Sequence, residues 1–412
     1  MRAKPKYARR AEDYRSIIGD GAYNELLQVA ARLEGKRVVH VNSTSYGGGV
    51  AEILHSMVPL MRSLGIDADW QVLEAEPDFF QVTKKIHNAL QGNTQVELTE
   101  EEWKTYMKWN QYNAETLDLD ADIVLVHDPQ PMAIPLFAKK RGRIWVWRCH
   151  IDVSTPNQKV YGLISQLLPL YEGVIVHTKD YVKPEFADRA LVSPPSIDPL
   201  SDKNRPLDSS LIENIAGKFG VDTSKPILAK VARFDPWKDV FSAVDVYRVV
   251  ARSHPGTQLL LISSMARDDP EGALFYEKVR DYVAGDENIH MLTDQQGVHD
   301  LEVNALQRVT TVGLHTAIRE GFGLAVTEFL WKSVPVVARP VGGVKLQVID
   351  GRTGLTGWSV PELAEKAARL LSEPGTRARL GEAGREHVLE NFVITRHVQR
   401  YLAFFSSLLC GY

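Results

Sequence analysis

The sequence predicts an α/β protein that is built from two doubly wound domains. Its 412 residues exceed what one hydrophobic core usually holds and suggest two domains of about 150–200 residues each. Short, nearly continuous apolar runs alternate with helical patterns, as in parallel sheets that helices cover on both faces. A stretch with four prolines, residues 193–208, interrupts this alternation near the middle of the chain. These three observations indicate two successive sheets of parallel strands.

In the first half, the run VVHVN at 38–42 predicts the opening strand. From Val50 to Leu64, apolar residues recur at helical spacing and predict the first covering helix. Further apolar runs predict strands at 123–128, 144–150, 174–178 and 190–193. None of these runs alternates strictly between apolar and polar residues, which favours strands buried on both faces of a parallel sheet.

After the proline-rich stretch, which we interpret as a linker between domains, the same pattern starts again. Apolar runs predict strands at 227–234, 258–264, 288–293, 309–315 and 334–340. The segment 375–409 predicts one or two terminal helices. Ligands of such sheets bind beyond the carboxyl ends of the strands, so two domains with facing edges predict a cleft between them.

Composition and charge argue against several classes of protein. The chain is 44% hydrophobic and 24% charged with a net charge of −4, which gives no reason to expect a nucleic-acid or anionic-membrane partner. No run approaches the roughly 18 apolar residues of a membrane span. The basic start leads into AEDYRS rather than an apolar stretch, so it is not a secretory signal. With only Cys149 and Cys410 present, we expect a cytoplasmic protein.

Two carboxylates and a glycine turn follow the predicted strand at 309–315. Glu320 lies in the loop beyond that strand, and Gly321 and Gly323 permit close approach of the backbone to a ligand. The stretch 324–331 predicts a helix, whose first N–H groups suit a phosphate. Glu328 lies about one turn into this helix, where its carboxylate suits a ribose diol. The alternative is an exposed loop residue and an ordinary helix-surface residue.

Arg233 and Lys238 follow the strand ILAKV across a turn that contains Pro236. Two cations in a loop at a strand end suit a diphosphate leaving group, because Arg binds phosphate in a bidentate way and Lys acts as a point charge. The alternative is a pair of solvated surface cations.

The first domain carries a glycine run and polar groups at its predicted strand ends. Glycines 47–49 precede the first helix and suit an anion or a sugar, but they do not form the G-x-G-x-x-G pattern of dinucleotide binding. His127-Asp128 and the pair His150 and Asp152 lie at two strand ends, where they suit the hydroxyls of an acceptor. A hydrolase triad is disfavoured because the chain lacks G-x-S-x-G. A structural role for each histidine stays open.

Together and in this order, the motifs resemble the retaining GT-B glycosyltransferases of the family-4 type, which include sucrose and glycogen-type synthases. Arg233 and Lys238 match the R-x4-K element of that family, and Glu320 and Glu328 match its E-x7-E signature. The stretches VHDPQP, WRCHID and PPSIDPLSDKN are most similar to its trehalose-forming members. The resemblance implies a cytoplasmic enzyme that transfers glucose from a nucleoside-diphosphate glucose to glucose, forming trehalose with retention at the anomeric carbon.

The resemblance further implies two Rossmann-like domains that face each other across a cleft. Residues 1–200 would bind the acceptor, with the last helix at about 390–412 packing back on them, and residues 209–389 would bind the nucleotide sugar. The implied site residues are Arg233, Lys238 and Glu320 for catalysis, Gly48, Gly49, Met291, Phe322, Gly323, Leu324 and Glu328 for the donor, and His127, Asp128, His150 and Asp152 for the acceptor.

Some features depart from the family pattern and leave the preference for sugar and base open. His315-Thr316-Ala317 stands where a more polar run is expected, and the stretch 354–362 is short. The base would be held around Ser263–Met265 and His290–Leu292. The chain has no Asp-x-Asp metal motif, so we expect no metal site and no tightly bound cofactor, and a magnesium requirement is left open.

Three rival functions remain after this reasoning. Two share the fold, a trehalose phosphorylase and a glucosyltransferase with another acceptor. The third is a catalytically silent regulator that binds a sugar nucleotide. We expect small-molecule sugars as partners and, from the resemblance, a homodimer.

Overall fold

The structure is a computed structural model that describes residues 1–46, 48–138, 144–264 and 270–411. The chain divides into two compact units. The first joins Met1–Pro195 to Ile394–Tyr412, and the second is Ser196–Val393. Two residues named in the sequence analysis, Gly47 and Met265, lie outside the described residues.

The first unit contains a parallel sheet of six strands. They are β1 (Arg37–Asn42), β2 (Asp67–Val72), β3 (Ile123–His127), β4 (Ile144–Arg148), β5 (Gly173–Val176) and β6 (Ala190–Val192), in the order β2-β1-β3-β4-β5-β6. Six helices are described before the second unit: α1 (Arg15–Ala31), α2 (Gly49–Ser63), α3 (Pro77–Leu90), α4 (Glu100–Thr116), α5 (Ile134–Phe137) and α6 (Gln158–Ser165). Every apolar run that predicted a strand in this half of the chain forms one.

Strand β2 is missing from the sequence prediction because its polar residues interrupt the apolar run. Asp69 nevertheless has only 1% of its surface exposed. Its carboxylate accepts hydrogen bonds from Nε of Arg2 at 2.6 Å and from Nε2 of Gln71 at 2.8 Å. A buried carboxylate is tolerated where charged and polar partners surround it.

The second unit contains another parallel sheet of six strands. They are β7 (Ile227–Val231), β8 (Gln258–Ser263), β9 (Ile289–Thr293), β10 (Val312–His315), β11 (Val336–Ala338) and β12 (Gly354–Thr356), in the order β12-β11-β10-β7-β8-β9. Its helices are α7 (Ser209–Lys218), α8 (Val240–Ser253), α9 (Pro270–Val283), α10 (Asp300–Val309), α11 (Leu324–Trp331), α12 (Val344–Gln347), α13 (Val360–Ser372) and α14 (Pro374–Asn391). The three-residue strand β12 was too short to be predicted.

The last helix, α15 (Ile394–Cys410), belongs to the first unit, where it packs on α1 and α2. Its apolar face is buried through Val398, Tyr401, Leu402 and Phe405. Gly173 at the start of β5 permits this packing, because a Cβ atom there would lie 2.8 Å from the ring of Phe404.

The proline-rich stretch is mostly bound to the second unit rather than loose. Nδ2 of Asn304 donates to the carbonyl oxygens of Asp202 and Arg205 at 2.8 and 2.9 Å. Nζ of Lys332 donates to Oδ1 of the buried Asn204 at 3.0 Å. Residues 202–205 of the predicted linker are therefore anchored on α10 and at the end of α11.

Within the described residues, no helix is both long enough and apolar enough to cross a membrane.

Candidate active site

The candidate catalytic residues of the second unit lie where three neighbouring strands end. Strand β10 lies between β7 and β11, and all three are parallel. Lys238 lies in the loop after β7, Glu320 in the loop after β10, and Arg339 directly after β11. Since the carboxyl ends of parallel strands share one edge of the sheet, these three loops meet.

Lys238 and Glu320 form an ion pair at this edge. Nζ of Lys238 donates to Oε2 of Glu320 at 2.7 Å, and Nε2 of His315 lies 3.4 Å from the same oxygen. The side chains of Lys238 and Glu320 are only 19% and 11% exposed. Burial by itself would raise the pKa of Glu320, but the Lys238 ammonium and His315 outweigh it and hold that pKa well below its ordinary value. Glu320 is therefore ionised, and its alternative interpretation as an exposed loop residue is wrong.

The backbone that carries Lys238 is braced by a second ion pair. Asp239 has a left-handed φ of 45°, and its carboxylate accepts a hydrogen bond from the backbone N–H of Ser242 at the start of α8. Nη1 of Arg339 donates to Oδ2 of Asp239 and to the carbonyl oxygen of Thr316, both at 2.5 Å. A left-handed non-glycine residue costs about 1–2 kcal/mol, so these contacts hold a strained backbone in place beside Lys238.

Lys230 is a third cation near this edge, and the sequence analysis did not single it out. It lies on β7 with 1% exposure, and its Nζ donates to Oγ1 of Thr316 at 3.0 Å. Burial, helped by the positive charge of Lys238, lowers the pKa of Lys230 to about 7. A lysine inside an otherwise apolar strand, ILAKV, is the signal that could have identified it.

Arg233 occupies a more open position in the loop between β7 and α8. Its side chain is 56% exposed, and its Nη2 lies 3.5 Å from Oδ2 of Asp235. A guanidinium that is so exposed and so weakly held is able to turn toward an incoming anion.

The turn before α11 brings the backbone close to Glu320. Gly323 has a φ of 85°, and a Cβ atom there would lie 3.3 Å from Cγ of Glu320. The backbone N–H of Gly343 donates to the carbonyl oxygen of Gly321 at 3.1 Å, and a Cβ at Gly343 would lie 2.9 Å from Cα of the buried Phe322. Leu324 begins α11, so the first N–H groups of that helix lack partners within the helix.

Glu328 is buried within the second unit. Its side chain is 3% exposed, Oε2 accepts a hydrogen bond from Nε2 of Gln307 at 2.9 Å, and Oε1 lies 3.7 Å from Nζ of Lys203. The alternative that Glu328 is an ordinary helix-surface residue is therefore wrong. Met291, the other donor candidate, lies on β9 in register with Leu261 and is partly buried.

In the first unit, Gly48 leads into α2. Gly48 has a φ of 91° and precedes Gly49, the first residue of the helix. A Cβ atom at Gly48 would meet nothing within 4 Å, so the backbone conformation, rather than packing, requires glycine there.

His127, Asp128 and His150 come together at the ends of β3 and β4. Nδ1 of His127 lies 2.9 Å from Nε2 of His150, and Oδ1 of Asp128 accepts a hydrogen bond from the backbone N–H of His150 at 2.8 Å. Burial raises the pKa of Asp128 to about 7, although that hydrogen bond opposes the shift. His127 is 2% exposed and His150 partly exposed, so His150 is the histidine that can reach a ligand directly.

Asp152 makes its hydrogen bonds to Ser154 rather than to His127, Asp128 or His150. It is 7% exposed, and its Oδ1 accepts hydrogen bonds from the backbone N–H and from Oγ of Ser154 at 2.8 and 2.6 Å. These contacts shape the loop after β4. Among the described residues, no three or more His, Cys, Asp or Glu side chains are grouped so that they could hold a metal ion.

Comparison with known proteins places the chain in a family. Residues 40–183 match the family "Trehalose synthase, N-terminal domain", and residues 212–387 match "Glycosyl transferases group 1". The chain is 48% identical over 402 residues to a trehalose synthase of Pyrococcus horikoshii, covering 97% of both chains. It is 28% identical to a trehalose phosphorylase of Pleurotus pulmonarius, covering 83% of this chain and 53% of that protein.

Solved structures show the same architecture at low sequence identity. A sucrose-phosphate synthase of Thermosynechococcus elongatus has a TM-score of 0.70 at 15% identity, covering 92% of this chain and all of that one. An E. coli structure described as trehalose-6-phosphate bound with UDP-2-fluoro glucose has a TM-score of 0.67 at 15% identity, covering 91% and 98% of the two chains.

The fold and the sequence relationships define a glycosyltransferase with the two-domain GT-B fold. Within that class, the chain belongs to the trehalose synthase family.

Proposed function

We propose that this protein transfers glucose from a nucleoside-diphosphate glucose to glucose and forms trehalose with retention at the anomeric carbon. The observation that carries the proposal is the Lys238–Glu320 ion pair at the ends of β7 and β10, with the exposed guanidinium of Arg233 in the same loop as Lys238. The names of the relatives support the product, and the site chemistry supports an activated sugar as donor.

The cations of the second unit suit the departure of a diphosphate. The bond between the anomeric carbon and the diphosphate oxygen breaks, and negative charge develops on that oxygen. Lys238 and Arg233 stabilise this charge, which is usually the largest contribution to such a reaction. Glu320 pairs with the Lys238 ammonium. A donor whose sugar hydroxyls bind Glu320 would bring its diphosphate to the same ammonium.

Retention follows from attack on the face that the diphosphate leaves. The acceptor hydroxyl oxygen forms the new bond to the anomeric carbon, and its proton passes to the departing phosphate oxygen. Glu320 is held ionised by Lys238 and His315, so it suits hydrogen bonding to hydroxyls better than proton donation. In this scheme no enzyme carboxylate forms a covalent intermediate.

The remaining candidate residues would bind the two substrates. Glu328 would accept hydrogen bonds from the ribose diol, and the start of α11 at Leu324 would bind phosphate oxygens. In the first unit, His150 would contact a sugar hydroxyl, with Asp128 holding the backbone of that loop. Gly48 and Gly49 at the start of α2 would approach the diphosphate.

The decisive experiment mixes purified protein with a nucleoside-diphosphate glucose and glucose. We expect a non-reducing disaccharide and one nucleoside diphosphate released per disaccharide, with the α,α configuration assigned by NMR. Lys238→Met should abolish most turnover. Lys225→Met is the matched control, because that lysine belongs to the same unit and pairs with Asp222 away from the site. A series with magnesium and with a chelator would establish whether a divalent cation is needed.

The rival functions give different products in the same assay. A phosphorylase is favoured by the 28% identity to the Pleurotus enzyme, and it would release a glucose phosphate from trehalose and inorganic phosphate without any nucleotide. Conversion of maltose alone to trehalose would also overturn donor dependence. Nucleotide-sugar binding without turnover on any acceptor would identify a silent regulator.

A further inference from the structure

Three histidines form a row across the first unit. His40 lies on β1, His127 ends β3 and His150 follows β4, and these three strands are neighbours in the sheet. Nδ1 of His40 lies 3.1 Å from Nε2 of His127, and Nδ1 of His127 lies 2.9 Å from Nε2 of His150. The rings stack, with interplanar angles of 21° and 18°. Both nitrogen pairs are at hydrogen-bond distance.

The row runs from the interior toward the surface. His40 is fully buried, His127 is 2% exposed, and His150 is partly exposed. Burial lowers the pKa of His40 to about 3, and burial together with neighbouring positive charge holds the pKa of His127 and of His150 well below its ordinary value. All three rings are therefore neutral at pH 7, and each carries one N–H.

One N–H per ring leaves two ways to satisfy both hydrogen bonds. In the first, every proton is on Nδ1, so that His40 donates to His127 and His127 donates to His150. In the second, every proton is on Nε2, and both bonds run in the opposite direction. Any mixed arrangement places two donors or two lone pairs against each other.

The inner end of the row decides between the two arrangements. Nε2 of His40 is buried and has no hydrogen-bond partner among the described residues. A proton on that nitrogen would be a buried N–H without an acceptor, the rarer and more unfavourable kind of orphan. The first arrangement leaves only a lone pair there, so the row is polarised outward from His40.

We propose that His40 and His127 are positioning residues that hold His150 in its Nδ1–H tautomer. His150 then accepts a hydrogen bond from His127 through Nε2, and its Nδ1 is a hydrogen-bond donor. The role of this donor rests on the proposed function, in which His150 contacts a sugar: the imidazole would donate to a sugar oxygen rather than accept from a hydroxyl.

The tautomers are measured directly by ¹⁵N NMR of the full chain labelled at histidine, without substrate. Protonated and unprotonated ring nitrogens differ in shift, and substitutions of single histidines assign the signals. We expect His40, His127 and His150 to be neutral at pH 7, with the Nδ1–H form of His150 favoured by about tenfold or more. Predominant Nε2–H in His150, comparable amounts of the two forms or a charged ring would overturn the proposal.

Two variants distinguish the proposed positioning of His150 by His40 and His127 from a merely structural role of these two residues. His40→Asn replaces the inner donor by an amide that can either donate to or accept from Nε2 of His127, so it should bring the two tautomers of His150 to within about threefold of each other. His127→Asn should likewise release the preference, and it should raise KM for the sugar more than it lowers kcat. His254→Asn, in the second unit, is the control and should leave the His150 spectrum unchanged. If a variant does not fold, the spectrum of the unaltered protein alone still decides the question.

The spectrum and the turnover assay fail independently. An Nδ1–H form of His150 in a protein that makes no disaccharide would support the proposed tautomer of His150 and refute the proposed function. An Nε2–H form in an active enzyme would do the reverse.

Discussion

Replacing Glu320 by glutamine tests the central ion pair, because it removes the charge and keeps the shape. The atoms Nζ of Lys238 and Oε2 of Glu320 are 2.7 Å apart. At an effective dielectric constant of about 20, this distance corresponds to an attraction of roughly 6 kcal/mol. Desolvation of two largely buried groups cancels part of it, and removal of one partner from such a pair typically costs about 3–5 kcal/mol. We therefore expect Glu320→Gln to destabilise the second unit by about 3 kcal/mol.

The assay is native-state hydrogen exchange of the amides of β10 and α11, which reports the second unit alone. A double-mutant cycle with Lys238→Met and the double variant isolates the pair, and we expect a coupling energy of about 2–4 kcal/mol. The exposed pair of Lys225 and Asp222 is the matched control, and Asp222→Asn should change exchange far less. A coupling energy below about 0.5 kcal/mol would refute the reasoning, because it would mean that water screens the pair as at a surface.

The same pair also sets a pH dependence. The pKa of Glu320 is lower in the folded chain than its ordinary value of 4.5. Between the pKa of folded Glu320 and 4.5, the unfolded chain therefore binds more protons than the folded chain. The stabilisation is fully present above pH 4.5 and is lost as the pH falls toward the folded pKa. Glu320→Gln should lack this component of acid sensitivity.

Three further predictions concern single side chains of the second unit. Arg233→Ala should lower kcat by about 10²–10³ with little change in melting temperature, because the side chain is 56% exposed; an unchanged kcat would remove it from the mechanism. The pKa of Lys230 is 10.5 in the unfolded chain and about 7 in the folded chain. Between about pH 7 and 10.5 the unfolded chain therefore binds more protons, so the free energy of unfolding should rise with pH over this range. Lys230→Met should flatten that rise in melting temperature, and an equal slope in both proteins would contradict the burial argument. Glu328→Gln should raise KM for the nucleotide sugar, measured by steady-state kinetics, by about 10–100-fold, because a hydrogen bond to a charged group is lost. A KM equal to that of the unaltered enzyme would exclude the ribose contact.

The sequence predicted most of the sheets because parallel strands buried on both faces need continuous apolar runs. IVLVH and ILAKV are such runs, and both are strands. Strand β2 escaped because its burial depends on Arg2, a residue far away in the sequence that binds Asp69. No local pattern contains that partner.

Within the site, the local sequence predicted the loop and the helix, but it did not predict which side chains contact each other. The stretch 324–331 was predicted to be a helix that follows the loop of Glu320, and α11 has these bounds. The sequence did not predict that Lys238 would bind Glu320, or that Lys230 would reach Thr316, which directly follows the neighbouring strand β10. The row that begins at His40 was also beyond reach, since it depends on the strand order β2-β1-β3-β4-β5-β6.

The place of α15 in the first unit has a consequence for synthesis on the ribosome. The apolar surface of the first unit that Tyr401 and Phe405 cover stays exposed until α15 has been made, whereas Ser196–Val393 is continuous in sequence and can fold earlier. At about 5–20 residues per second, the roughly 198 residues of Ser196–Val393, which precede α15, take about 10–40 s to translate. The first unit, most of which is translated before the second, is thus the last to be completed, and it is the unit for which a chaperone that binds nascent chains would matter most.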